Sequence, residues 1–104
     1  MKIREFLFLQ RQAPLSAGPE AFDLAMTAAA FDQEVRLLLL DDAAHWLTLG
    51  LPDLVRDSID HIGVERESLQ ERGLSHLTLP DFCHLHARAD IAAMIAAADI
   101  VVTG

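Results

Sequence analysis

Residues 34–42 read EVRLLLLDD, an almost unbroken apolar run stopped by two aspartates. A strand with one wet face alternates apolar and polar residues; a strand covered on both faces has no need to. The run 34–40 therefore predicts a central strand of a parallel sheet, sandwiched between helices. Working outward, residues 3–9 (IREFLFL) predict a second apolar strand, and RQAPLSAGP, with Pro14, Gly18 and Pro19, predicts the loop that follows it. Apolar residues at Ala21, Phe22, Leu24, Ala25, Ala28, Ala29 and Phe31 recur at helical spacing. They predict a helix over 20–31, with Pro19 and Glu20 suited to its first turn.

Downstream, AAHWLTLG predicts a short helix closed by Gly50, and 52–62 a second one with Leu54, Val55, Ile59 and Ile62 on one side. Residues 60–66 stay open between strand and loop. VERESLQERGL leads through a short strand or turn into a helix closed by Gly73, and SHLTLP predicts a short fourth strand before Pro80. An alanine-rich helix over 88–98 and a final buried strand in DIVVTG complete the chain. This order implies one α/β domain over residues 1–104: a doubly wound, mostly parallel sheet of four to five strands with helices on both faces and right-handed crossovers.

Of the 104 residues, 52% are hydrophobic and 23% charged, enough apolar surface to fold one core. Eight basic against sixteen acidic residues give a net charge of −8, which repels phosphate backbones and anionic lipid. Neither nucleic acid nor membrane is expected as a direct partner. A single cysteine rules out an internal disulfide, and MKIREFLFLQ contains no signal-like or spanning run, so a cytoplasmic protein is expected.

The chemistry-bearing stretch is DFCHLHARAD, residues 81–90, holding Cys83, His84 and His86. Adjacent residues of an extended chain face opposite ways, so Cys83 and His84 do not share one ion, and no metal is expected. As a nucleophile, Cys83 would gain from a neighbouring imidazolium (His84 or His86) and from a helix starting near Arg88, both of which lower a thiol pKa. The competing reading is a buried, inert thiol. Asp41 and Asp42 read as a loop that caps the next helical turn, since no third ligand accompanies them. The loop around Pro14 to Gly18 has one glycine and no phosphate-binding lysine, so no nucleotide cofactor is expected.

Residues 3–74 together, with the AP…AG.EA.D.A loop and helix, the DDAA.WL turn and the SL.ERGL helix at Ser68, Leu69, Glu71, Arg72, Gly73 and Leu74, resemble the DsrE/DsrF-like superfamily, in particular its TusC/DsrF subunit. The closing DIVVTG matches in kind. The resemblance implies an α/β subunit that assembles with TusB-like and TusD-like sister chains in a sulfur relay serving tRNA 2-thiouridine formation or sulfur oxidation. It also implies a sulfur-carrying cysteine just before the SL.ERGL helix, where this sequence has Glu65. An accessory, non-catalytic subunit is the leading expectation, with Phe22, Trp46 and Phe82 as either contact residues or, equally, ordinary core. Its rivals are a small sulfurtransferase using Cys83 and a stand-alone homo-oligomer binding a ligand near Pro14.

Overall fold

The computed structural model describes residues 3–17 and 19–103. Gly18, part of the expected loop, lies outside the described residues, as do Met1, Lys2 and Gly104. The opening run forms β2 (Glu34–Leu39), beside β1 (Glu5–Gln10). Between them lie a single turn, α1 (Pro14–Ala17), a 3₁₀ turn (Pro19–Phe22) and α2 (Asp23–Ala30). After β2 come a 3₁₀ turn (Asp41–His45), α3 (Trp46–Leu49), α4 (Asp53–Ser58), β3 (His61–Glu65) and α5 (Arg66–Glu71). The chain ends with β4 (Cys83–His86), α6 (Arg88–Ala97) and β5 (Ile100–Thr103).

All strand pairs are parallel, in the order β4-β3-β2-β1-β5. Strands β1 to β4 step in one direction, and the return to β5 beyond β1 carries α6 across the opposite face. Two cores result. Phe8, Leu37, Leu39, Ile62 and Val64 pack with Phe22, Trp46 and Val55 on one face. Leu7, Leu9, Leu38 and Leu40 pack with Ile91 of α6 on the other. The four leucines of β2 and its end thus divide two and two between the faces, and this is why the run shows no alternation.

Several expectations need correction. The helix over 52–62 stops at Ser58: Ile59 is extended (φ −111°, ψ 122°), and Ile62 belongs to β3, opposite Leu37. A parallel ladder supplies backbone partners that four more residues of exposed helix would not bring to the core. Residues 60–66 thereby include a strand. SHLTLP is not a strand; β4 begins after it, with the Cys83 N–H bonded to the Pro80 carbonyl at 3.0 Å. Leu79 packs against the core without entering a ladder. The helix over 20–31 begins as 3₁₀, and β5 is a half-covered edge rather than a buried strand. Phe22 and Trp46 are core residues, their rings meeting edge to face at 4.9 Å, and Phe82 lies under the Arg56 guanidinium.

Candidate functional site

In an open parallel sheet the carboxyl ends of the strands collect the residues available for chemistry. Here they bring together Asp41 after β2, Glu65 at the end of β3 and Arg88 at the start of α6. Glu65 alternates onto the α6 side of the sheet, at the turn where the chain enters α5. It is 5% exposed, and its carboxylate is fully engaged. Ser68 donates to its Oε1 at 2.5 Å, and Arg88 donates Nη2 to Oε1 at 3.0 Å and Nε to Oε2 at 3.2 Å. Ser68 Oγ also accepts the Asp41 N–H at 2.8 Å, so one buried hydroxyl ties the β2 end to the β3 end. Burial pushes the Glu65 carboxyl up, but the Arg88 and Ser68 hydrogen bonds and the Arg88 charge outweigh it and hold the group below its ordinary value. Arg88 is raised in turn, chiefly by its hydrogen bonds to Glu65 and Glu71.

A groove of about 490 Å³ opens beside this cluster, lined by Arg11, Leu40, Asp41, Glu65, Arg88 and Ile91 among others. Asp41 and Asp42 do not cap the following turn: Asp41 pairs with Arg11 and Asp42 with Arg72, each at 3.0 Å. The groove therefore presents locked ion pairs and no thiol. Carboxylates and guanidinia there bind and orient charge but cannot hold sulfane sulfur.

The sequence-predicted trio separates. Cys83 points into the first core, 7% exposed, and burial pushes its thiol up to about 11. The Sγ sits 4.0 Å from the His84 carbonyl oxygen. His84 and His86 project from the other face of β4, so neither imidazole stands over the thiol. They meet His61 of β3 instead, a residue that sequence reasoning left unused. Arg88 and Ser68, the partners of Glu65, were equally invisible: only the i, i+3 spacing from Glu65 to Ser68 offers a local signal.

No family model matches the chain. Over 89 residues it is 33% identical to the intracellular sulfur oxidation protein DsrF of Allochromatium vinosum, a match covering 70% of this chain and 65% of that protein. Also over 89 residues it is 36% identical to the protein TusC homolog of Pseudomonas aeruginosa, covering 69% of this chain and 74% of that one. The match thus spans slightly less than two thirds of the DsrF length. Among solved structures, the ychN protein from E. coli superposes with a TM-score of 0.73 over 98% of this chain and 100% of that one, at 20% identity, a likeness of fold.

Proposed function

This chain belongs to the DsrE/DsrF-like superfamily, among its TusC/DsrF members, and from that premise we propose that it is an accessory, non-catalytic subunit of a cytoplasmic sulfur-relay assembly. The observation that carries the reading is Glu65. It stands where the resemblance sets the family's carrier cysteine, and the site around it is completed by Arg88 and Ser68 rather than vacated. A carrier must present a thiolate to an incoming persulfide. The one thiol of this chain is buried on the far side of the sheet from the groove's charges, and burial favours its neutral form. In this reading a cysteine-bearing, TusD-like sister chain holds the sulfur, and a TusB-like chain completes the assembly. The final acceptor is a tRNA uridine or an enzyme of sulfur oxidation. Leu24 in α2 and Phe31 just past its end, 68% and 65% exposed, support a docking role for this part of the surface.

Intact-mass spectrometry after exposure to a persulfide donor tests this. Neither the wild type nor Cys83→Ser should gain a sulfur atom, and the wild type should co-purify with its sister chains when they are expressed together. A one-sulfur gain in the wild type alone would replace this reading with a sulfurtransferase acting through Cys83.

A further inference from the structure

On the α6 side of the sheet, α6 covers the leucines of β1 and β2 and leaves the β3–β4 edge open. Three histidines occupy that edge. His84 and His86 are two apart on β4 and so share a face, and the register of β3 against β4, with Gly63 opposite His84 and Glu65 opposite His86, brings His61 to the same side. The His61 Nε2 lies 3.0 Å from the His86 Nε2, with the ring planes 31° apart. His84 stacks on His61 with centroids 4.6 Å apart and planes within 2° of parallel.

We propose that His61 and His86 form a chelating site for a borderline divalent transition metal ion, zinc or copper, through their two Nε2 atoms. Two nitrogens each about 2.0–2.1 Å from one ion, at ligand angles of roughly 90–110°, stand about 2.9–3.3 Å apart, and the observed separation falls in that span. Without the ion the same distance is an N–H···N hydrogen bond. On binding, the donor ring moves its proton to Nδ1, so both Nε2 lone pairs face the metal and no proton need leave the pair. Imidazole donors select zinc, copper and nickel over magnesium or calcium. Among the described residues, no group of three or more His, Cys, Asp or Glu side chains is arranged around one ion, and His84 stacks rather than converges. The site is therefore two-coordinate from the protein, with positions left for water or an exogenous donor.

Two further features fit. Gly63 lies under the pair: a Cβ there would stand 2.7 Å from the His86 Cδ2 and 3.1 Å from its Nε2, so only glycine leaves room for the ring. Arg36, opposite His61 in the β2–β3 ladder, has its charge answered by Glu5 at 3.3 Å, within a chain of net charge −8 that attracts cations.

Calorimetric titration of the metal-stripped full chain with zinc chloride tests the site. One zinc ion per chain is expected, with His61→Gln and His86→Gln each weakening binding by roughly tenfold or more, and Gly63→Ala by about tenfold while retaining both ligands. His45→Gln and His76→Gln should leave it unchanged. Undiminished binding in the His61→Gln/His86→Gln double variant overturns the proposal, as does an absence of zinc binding in the wild type. Nuclear magnetic resonance of the wild type needs no variant to fold: zinc must shift the His61 and His86 ring protons, and shifts confined to His45 or His76 refute the assignment.

Discussion

At the scale of single residues, Glu65 contributes to the acid-side stability. Its carboxyl is held below the ordinary value in the folded chain, so the folded state binds this proton less readily than the unfolded one. The resulting stabilisation is fully present above the unfolded pKa and is lost as pH falls through the folded one. Urea midpoints measured from neutral pH downward should drop in the wild type and drop less in Glu65→Gln. Ser68 is wholly buried between the Asp41 N–H and the Glu65 carboxylate. Ser68→Ala leaves both without that partner and should cost about 1–3 kcal/mol in urea denaturation. Cys83, its thiol pushed up to about 11, should react with iodoacetamide at pH 8 far more slowly in the folded protein than in urea. Equal rates would show that the thiol is not sequestered.

At the scale of elements, α3, α4 and α5 are four to six residues long, too short to hold themselves helical in water. Each persists because a side chain anchors it: Trp46 in α3, Val55 in α4 and Leu69 in α5. Such short pieces depend on their terminations. Gly50 ends α3 at φ 96°, ψ 134°, a region closed to residues with a Cβ, although the space around it is open. Gly50→Ala should therefore destabilise through backbone strain alone, by about 1–3 kcal/mol, read from the shift in thermal midpoint. The overlong helix expected over 52–62 has its cause here as well. Val55, Ile59 and Ile62 fit helical spacing in sequence, yet the latter two extend the backbone because β2 offers Ile62 a ladder partner in Leu37.

At the scale of the whole molecule, the sheet divides its contents unequally. The first core gathers residues from β1 to β4 and from α2 to α5, with Phe22 at 1% exposure against Trp46. Phe22→Ala removes that ring from the packed face and should cost about 3–5 kcal/mol by chemical denaturation. The second face has one helix over it, which leaves the histidine edge open and the Glu65 groove reachable. Local pattern determined much of this chain: the four-leucine run required a strand covered on both sides, the repeating strand and helix signals required a parallel α/β sheet, and alternation alone separated Cys83 from His84. Tertiary structure alone decided the rest, because strand register and crossover are contacts between distant residues. It set Arg88 on Glu65, chose the core over a contact surface for Phe22 and Trp46, began β4 at Cys83, and carried His61 across 25 positions to His86. No local periodicity encodes such pairings, since they arise only when separate strands share one sheet.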